Sequence, residues 1–353
     1  MEGKIVFATD TACALQDIIK ELAPSKCALI YPEQAAPLLF KTLNVPALLP
    51  NALLLPHAEG EEHKSIEECM KLWSTLLAAG MDRKSLIINM GGGITTDMGG
   101  FVASTYMRGI RYINIPTTLL AMVDASCGGK TGVNLDGVKN IIGSFALPQA
   151  TIISSQFLTT LPVEQIHSGW AEMVKHSLLS GHEKAVRYLH YEPDTLTPAE
   201  WSPLIEESVI FKKSVTDADP KESGRRRILN FGHTAGHAFE AFYNANGGHL
   251  IHGNAVALGM LTALVLSHIL SGFNTAFIYQ YAGMVKRLYT RPHISCSHYD
   301  ELLRLMHHDK KNRGSENVNF VLLSPEFTPI EAHSTDDTAI RNALDITRDL
   351  LDQ

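Results

Sequence analysis

The chain has 353 residues, roughly twice the size of a common single domain, which predicts two domains. Hydrophobic residues make up 45% of it and charged residues 19%, so it can build a large core and is not generally disordered. The formal net charge of −7 disfavours a protein that binds nucleic acid through an overall positive field.

The cysteine content and the N-terminus favour an intracellular setting. The five cysteines are odd in number and widely spaced, which favours reduced thiols over a disulfide framework. The first residues lack the basic start and long apolar run of a secretion signal, and we expect a cytoplasmic protein. The most apolar stretch, 255–270, is short for a membrane span and is predicted to be a buried helix.

The first part of the chain alternates β-rich runs with helical patterns, as in a parallel sheet covered by helices. In chain order we predict a strand at 4–10, a helix at 11–22, a strand at 26–32, helices at 35–43 and 65–79, and strands at 85–90, 112–115 and 150–153. Ser65 and Glu68 form a capping-box pattern at the start of the fifth of these elements.

Helical periods dominate after Pro162, which places a domain boundary near residue 156. The predicted helices are 163–189, 203–216, 234–243, 253–270 and 336–351. The predicted fold class is therefore α/β plus α, with residues 1–155 as a parallel-sheet domain and 156–353 as a mainly helical domain. A ligand cleft is expected between them.

A glycine-rich turn follows the predicted strand at 85–90. Gly91, Gly92 and Gly93 lead directly into a helical run, where free N–H groups suit a nucleotide pyrophosphate. The alternative is an ordinary loop, because the G-x-G-x-x-G fingerprint is absent. Asp97 has either a ribose or nicotinamide role or a helix-capping role.

The next polar segment, Ile115 to Phe145, is long for a connector between strands. It contains Asp124, Lys130, Lys139 and Asn140 among glycines, a combination that suits an anionic, oxygenated substrate. The alternative for each lysine is a solvated surface charge.

Two further clusters contain candidate metal ligands. Glu172 and Lys175 stand three residues apart on a mostly apolar helix, either as a surface ion pair or as a metal ligand beside a substrate-binding cation. Four histidines, at positions 233, 237, 249 and 252, flank two predicted helix starts. Histidines and one carboxylate from separate helices can form a catalytic zinc site with an open position, although each histidine alone is more often structural.

A last basic cluster contains Asp309, Lys310, Lys311 and Arg313. Alone it would be a solvated turn. With Arg225, Arg226 and Lys212 it adds positive charge to an acidic chain.

Seven ordered segments resemble the signatures of the 3-dehydroquinate synthases, a family of sugar-phosphate cyclases. The segments are GGGITTDMGGF, IPTTLLAMVDASCGGKTGVN, KNIIGSF, SGWAEMVKH, LNFGHTAGHAFEA, HGNAVALGM and DKK. The resemblance covers nearly the whole chain. It implies a Rossmann-like NAD-binding domain, a helical metal domain and a homodimer.

The resemblance also implies site residues, position by position. The metal, zinc or cobalt, would be bound by Glu172, His233 and His252. The implied NAD contacts are Glu61, Lys64, Gly92, Gly93, Asp97, Thr117, Thr118, Asp124, Lys130, Lys139 and Thr160. The implied catalytic residues are Lys130, Lys175, Lys212, Arg226, Asn230 and His237, and the implied substrate contacts are Arg108, Lys139, Asn140 and Lys311. Arg108 is expected to reach the neighbouring subunit.

The family's reaction cyclises 3-deoxy-D-arabino-heptulosonate 7-phosphate to 3-dehydroquinate and releases phosphate, a step of the shikimate pathway and aromatic amino acid biosynthesis. It proceeds by transient NAD-dependent oxidation, phosphate elimination, re-reduction and intramolecular aldol closure. A substrate with a carboxylate and a phosphate fits the many Lys and Arg positions.

This chain departs from the family pattern at several positions. Asn254 stands where the family usually has Glu, which predicts an altered partner of the metal ligands. Pro32 stands where an Asp or Asn often meets the adenosine ribose, and Thr95-Thr96 replace a smaller pair. Altered nucleotide contacts are expected there.

Three other functions are compatible with parts of this pattern. A cyclase for another sugar phosphate would lack a site for a substrate carboxylate. A metal-dependent polyol dehydrogenase of the same architecture would release NADH. A non-catalytic nucleotide-binding protein would show no metal-dependent turnover.

Overall fold

The computed structural model describes residues 3–222, 224–290, 292–308 and 317–352. The chain divides into two compact units, one made of 1–166 and 196–213 and the other of 167–195 and 214–353. The domain boundary predicted at residues 155/156 stays a prediction. Lys311 and the rest of the basic cluster at 309–313 lie outside the described residues.

The first unit is built on a parallel sheet. Its strands are β1 Lys4–Phe7, β2 Cys27–Pro32, β3 Leu53–His57, β4 Leu86–Gly91, β5 Arg111–Pro116, β6 Lys130–Leu135, β7 Val138–Phe145 and β8 Ala150–Ile153. Six of them form one sheet in the order β1-β8-β5-β4-β2-β3, and every neighbouring pair is parallel. The predicted parallel sheet is confirmed.

Helices connect these strands. They are α1 Thr11–Leu22, α2 Ala36–Leu43, α3 Val45–Leu48, α4 Ile66–Ala78 and α5 Gly93–Thr105. Ser65 caps α4, since its side chain accepts a hydrogen bond from the Glu68 backbone N–H at 3.4 Å, as the sequence pattern predicts. Leu72 and Leu76 of α4 and Val102 of α5 are buried in one core cluster with the sheet.

The central strand β4 determines where the glycine-rich turn lies. All six residues of β4 are buried, as expected for a strand covered on both faces. At its carboxyl end the chain turns through Gly92 into α5. A Cβ on Gly99 would lie 2.0 Å from Asn89 Oδ1, so α5 packs against β4 more closely than a larger residue would allow. The sheet therefore holds the N-terminus of α5 at the edge where ligands bind in open α/β folds.

The long segment that we predicted as a polar connector contains regular structure. It forms a π-helical turn at Ala121–Ala125 and an antiparallel ribbon of β6 and β7. The ribbon turns at Asp136 and Gly137, whose φ angles are 50° and 75°. Two successive positive φ angles at Asp-Gly are typical of a type I′ hairpin turn, a signal that we missed in the sequence.

The second unit is mainly helical, as predicted. The remaining helices are α6 Val163–Ser180, α7 His182–Leu189, α8 Pro198–Ala218, α9 His233–Ala245, α10 His252–Ser271, α11 Thr275–Leu288, α12 Tyr299–His308 and α13 Asp337–Asp352. Strands β9 Val318–Leu323 and β10 Pro329–Thr335 form an antiparallel pair. Along the chain, α6 and α8 cross the boundary between the units. The single helix predicted at 163–189 is interrupted at Gly181, which has a φ of 116°.

Helix α10 is the core helix of the second unit. It is long and apolar enough to cross a membrane, but 83% of its most apolar window is buried inside the protein. Tyr281 donates a hydrogen bond to Ala257 O at 3.0 Å, and Ser267 Oγ accepts one from Leu323 N at 2.9 Å. The prediction of a buried helix is confirmed. Because α10 is enclosed in this way, the backbone of its first residue, His252, is held in place.

Candidate active site

The glycine-rich turn of the first unit presents backbone N–H groups. Gly92 is the N-cap residue of α5, and no side chain of the described residues caps the helix there. An added Cβ at Gly92 would lie 3.2 Å from Thr118 Cγ2, and one at Gly93 would lie 3.3 Å from Ala125 Cβ. A larger residue at either position would crowd these neighbours. The two glycines keep that space open beside the backbone N–H groups of the first turn of α5, a geometry suited to a phosphate.

Thr95 holds this turn to strand β3. Its hydroxyl lies 2.8 Å from Nε2 of the buried His57, whose Nδ1 lies 2.9 Å from Ala58 O. Because a carbonyl oxygen only accepts hydrogen bonds, His57 donates one from Nδ1–H. Its Nε2 then accepts a hydrogen bond from the Thr95 hydroxyl. Burial lowers the pKa of His57. We did not single out His57 in the sequence, since a lone histidine at a strand end carries no signal.

A polar network joins several predicted cofactor and substrate residues. The ammonium of Lys64 donates to Asp97 Oδ2 at 2.6 Å and to Asn140 Oδ1 at 2.5 Å. Asn134 accepts from the Asn140 backbone N–H at 2.8 Å and donates to Glu61 Oε1 at 2.9 Å. Burial raises the pKa of the Asp97 carboxyl, and the Lys64 charge opposes that rise. The network brings together Glu61, Lys64, Asp97 and Asn140, and it adds Asn134, which we did not predict.

A second ion pair of the first unit joins two predicted residues that are 88 positions apart. Lys212 Nζ donates to Asp124 O at 2.6 Å and forms an ion pair with Asp124 Oδ1. The Lys212 side chain is 6% exposed and that of Asp124 is 34% exposed. This pair fixes a cation beside the π-helical turn, whose first residue, Ala121, donates its backbone N–H to Thr118 Oγ1 at 3.2 Å.

The remaining predicted residues of the first unit comprise one buried residue and four exposed ones. Thr117 is buried, and its N–H bonds Gly91 O at 2.9 Å. The exposed ones are Arg108, Lys130, Lys139 and Thr160. Lys130 and Lys139 share the β6–β7 ribbon.

The predicted metal ligands converge within the second unit. The ligand atoms of Glu172, His233 and His252 lie within 4.8 Å of one another. Glu172 Oε1 is 3.5 Å from His233 Nε2 and 3.9 Å from His252 Nε2. Ligands that each lie about 2 Å from one tetrahedral ion are about 3.4 Å apart, so these separations suit a shared ion.

The environment of Glu172 also fits a cation. Its side chain is 1% exposed, and Oε2 forms an ion pair with Lys175 Nζ. Neither carboxylate oxygen of Glu172 accepts a hydrogen bond from the described part of the chain. A buried carboxylate oxygen is costly without a partner, and a divalent ion between it and the two imidazoles would supply one.

In both His233 and His252, the ring nitrogen Nδ1, which points away from Glu172, faces a hydrogen-bond acceptor. His233 Nδ1 lies 3.2 Å from Phe231 O, and His252 Nδ1 lies 3.2 Å from Glu240 Oε2. Donation from Nδ1 leaves the Nε2 lone pair of each ring for an ion. Glu240 was not among the predicted site residues.

The other predicted residues of the second unit have different surroundings. The ring of His237 lies 5.3 Å from that of His233 and 6.0 Å from that of His252. Arg226 is buried and donates to Pro220 O at 2.9 Å, and Asn230 donates to Glu222 Oε1 at 3.0 Å. The two ring distances place His237 beside the candidate metal centre.

Comparison with known proteins gives the same family along most of the chain. Residues 54–168 match the family model for the N-terminal part of 3-dehydroquinate synthase, and 169–312 match the model for its C-terminal part. The 3-dehydroquinate synthase of Parabacteroides distasonis is 41% identical over 323 residues, which are 91% of each chain. That of Thermococcus kodakarensis is 39% identical over 85% of this chain and 82% of its own.

Solved structures of two synthases share the fold. A 2-deoxy-scyllo-inosose synthase complexed with carbaglucose-6-phosphate, NAD⁺ and Co²⁺ has a TM-score of 0.84 at 23% identity, with coverage of 98% of this chain and 96% of its own. A 2-epi-5-epi-valiolone synthase from Streptomyces hygroscopicus, with NAD⁺ and Zn²⁺ bound, has a TM-score of 0.80 at 24% identity, with coverage of 99% and 97%. The predicted fold class is thereby confirmed. Two family models across the chain and relatives of about 40% identity show that it belongs to the 3-dehydroquinate synthase family.

Proposed function

We propose that this enzyme converts 3-deoxy-D-arabino-heptulosonate 7-phosphate to 3-dehydroquinate and phosphate, as a carbon–oxygen lyase that uses NAD and zinc or cobalt. The observation that carries the proposal is the convergence of Glu172, His233 and His252 around a buried carboxylate oxygen. The family membership supports the same reaction.

The residues divide the chemical tasks. When bound, NAD supplies reversible hydride transfer and the divalent ion supplies Lewis-acid polarisation of a substrate hydroxyl. Glu172 offers an anionic ligand oxygen, and Lys175 offers a buried cation next to it for a substrate oxygen. His237, whose ring is 5.3 Å from that of His233, offers a donor or acceptor to the same substrate.

Charged side chains fit an anionic substrate. The proposed anion contacts are Arg108, Lys130, Lys139, Asn140, Lys212, Arg226, Asn230 and Lys311. Charge-assisted hydrogen bonds from Lys and Arg to carboxylate and phosphate are the stronger kind, and a sparsely hydrated site increases their effect. We assign NAD to residues 1–155 and the metal to 156–353, in a cytoplasmic enzyme. The five free cysteines fit that compartment.

The test is a coupled assay for dehydroquinate with NAD present, before and after chelation. We expect activity to disappear on chelation and to return with zinc or cobalt. Glu172→Gln should lower activity at least about a hundredfold, since replacing a ligand exceeds the 10–100-fold effect of changing an outer partner. Glu301→Gln, in the exposed Glu301–Arg304 pair of α12, is the control and should remain active. Turnover that survives chelation contradicts the proposal.

The assay also separates the alternatives. Phosphate release from sedoheptulose 7-phosphate, without release from the heptulosonate phosphate, would indicate a cyclase of the kind represented by the similar structures. Net accumulation of NADH would indicate a polyol dehydrogenase.

We also propose a homodimer. The ribbon formed by β6 and β7 exposes Ile141 by 51% and Phe145 by 63%, and Leu147, two residues after the ribbon, is 46% exposed. An exposed apolar strand is prone to pair with another chain. Arg108 is exposed and has a φ of 68°, next to Met107 at 51°, and such strain concentrates at functional positions.

Sedimentation equilibrium should give a dimer for the wild type and a monomer for Phe145→Glu. Tyr279→Glu, equally exposed in the second unit, should stay dimeric.

A further inference from the structure

His252 is the predicted ligand that most needs external support. Its side chain is 34% exposed, compared with 13% for His233 and 1% for Glu172. It is the first residue of α10, so no preceding helical turn packs against its ring. An imidazole in this position can rotate and can exchange its tautomer unless another group holds it.

Glu240 lies on the far side of that ring. Its carboxylate Oε2 is 3.2 Å from His252 Nδ1, on the opposite side of the imidazole from the Nε2 that is 3.9 Å from Glu172. The Glu240 side chain is 11% exposed, which makes its contact with the ring well shielded. A carboxylate that is shielded from water accepts a stronger hydrogen bond from an N–H group than a solvated carboxylate does.

Helix α9 provides both this carboxylate and another ligand. His233 and Glu240 are seven residues apart, which is close to two helical turns, so both belong to one face of α9. One face therefore carries a candidate ligand at its start and, two turns further along, the partner of another ligand.

We propose that Glu240 is the positioning residue of His252: it accepts a hydrogen bond from Nδ1–H, keeps the ring in the tautomer with a free Nε2 lone pair and aims that nitrogen at the metal. This inference rests on the metal site of the proposed function. The inference also changes the meaning of Asn254, which stands where the family usually has Glu. The partner of His252 is on α9, so Asn254 does not deprive the site of its outer carboxylate.

The test measures metal binding directly. Zinc affinity of the metal-free protein is measured by competition with a chromophoric chelator, and the Co²⁺-substituted protein is examined by visible absorption. Glu240→Leu should weaken zinc binding about 10–100-fold, the usual effect of losing an outer partner of a ligand. Glu240→Gln keeps an acceptor oxygen without the charge and should recover part of that loss. Asn254→Ala should bind zinc within about threefold of the wild type.

The outcomes separate the two proposals. Loss of stoichiometric zinc binding in Glu172→Gln, with graded loss at position 240 and a shifted Co²⁺ spectrum, supports the inference. Wild-type affinity in both Glu240 variants, or a larger effect of Asn254→Ala, overturns it and leaves the proposed function standing. Absence of stoichiometric zinc binding in the wild type removes the proposed metal site itself. If Glu240→Leu does not fold, the Glu240→Gln affinity and spectrum decide alone: unchanged values overturn the inference.

Discussion

At the scale of single residues, the pair formed by Glu172 and Lys175 illustrates how burial changes the meaning of a sequence pattern. A Glu–Lys spacing of three is ordinary on a helix surface, where the pair stabilises little. Here the two side chains are 1% and 2% exposed. Removing one partner would leave the other charge buried without compensation, which is far more costly than losing a surface pair.

We therefore expect Lys175→Met to destabilise the metal-free protein by about 3 kcal/mol, because the Glu172 charge loses its partner. The measurement is urea unfolding in the presence of a chelator. Arg304→Met is the matched control, since Arg304 pairs with Glu301 at the same spacing and the two side chains are 54% and 45% exposed. It should leave the unfolding free energy nearly unchanged. Equal effects of the two substitutions would contradict this account of burial.

His57 should make stability depend on pH. Burial lowers the pKa of His57 below its ordinary value of 6.5, and this outweighs the nearby carboxylates of Glu68 and Glu59, which raise it. The unfolded chain then binds a proton at higher pH than the folded one, so the unfolding free energy falls as pH drops below about 6.5. One such group contributes a slope of at most about 1.4 kcal/mol per pH unit.

His57→Gln should reduce this slope. Urea unfolding at intervals from pH 7.5 to 5 measures it, and the comparison is made on the change with pH rather than on absolute stability. His190→Gln serves as the control, because His190 is exposed and should leave the slope as in the wild type. A slope that His57→Gln does not alter would show that other groups account for the acid sensitivity.

At the scale of elements, the crossing of α9 and α10 determines the metal centre. The sequence predicts both helices and places one candidate histidine at each start. It does not reveal that the helices cross at two glycines. A Cβ on Gly259 would lie 2.0 Å from Gly232 O and 2.5 Å from Gly236 N, so the backbones approach directly. That approach holds His233, next to Gly232, at a defined distance from α10.

Gly259→Ala should therefore force α9 away from α10, with a loss of about 1–3 kcal/mol in unfolding free energy and weaker zinc binding. Gly283→Ala is the matched helical control. Among the described residues, no atom beyond its chain neighbours and its own helix backbone lies within 4 Å of its added Cβ, and alanine should stabilise α11 by up to about 1 kcal/mol. Thermal unfolding and zinc competition check both variants. A Gly259→Ala protein with wild-type zinc affinity would show that the crossing does not set the ligand distances.

At the scale of the whole molecule, the predicted residues separate by unit. The predicted NAD contacts all belong to 1–166, and the predicted metal ligands all belong to 167–195 and 214–353. Each ligand should then protect its own unit from hydrogen exchange, since binding stabilises the structure that provides the contacts.

Hydrogen–deuterium exchange with mass spectrometry checks this expectation. NAD should slow exchange at the β4–α5 turn, and zinc should slow it at the starts of α9 and α10. Glu172→Gln should abolish the zinc effect and keep the NAD effect. Protection of the α9 start by NAD alone would contradict the separate assignment.

The sequence by itself determined much about this protein: the parallel sheet, the helical second part, the core helix and the family. These features follow from local patterns, namely hydrophobic periodicity, glycine-rich turns and ordered motifs, each contained within a short stretch. The β6–β7 hairpin had a readable signal in Asp136-Gly137 that we passed over.

Only the tertiary structure decided which polar groups meet. Lys64 with Asn140, Lys212 with Asp124, His57 with Thr95 and Glu240 with His252 are partners that strand order and helix crossing bring together. No local pattern encodes such a meeting, because a hydrogen bond depends on positions within about 3 Å and sequence spacing specifies only neighbours within one element. The burial that turns the Glu172 and Lys175 pair from a surface feature into part of a site arises in the same way, from the packing of the whole second unit.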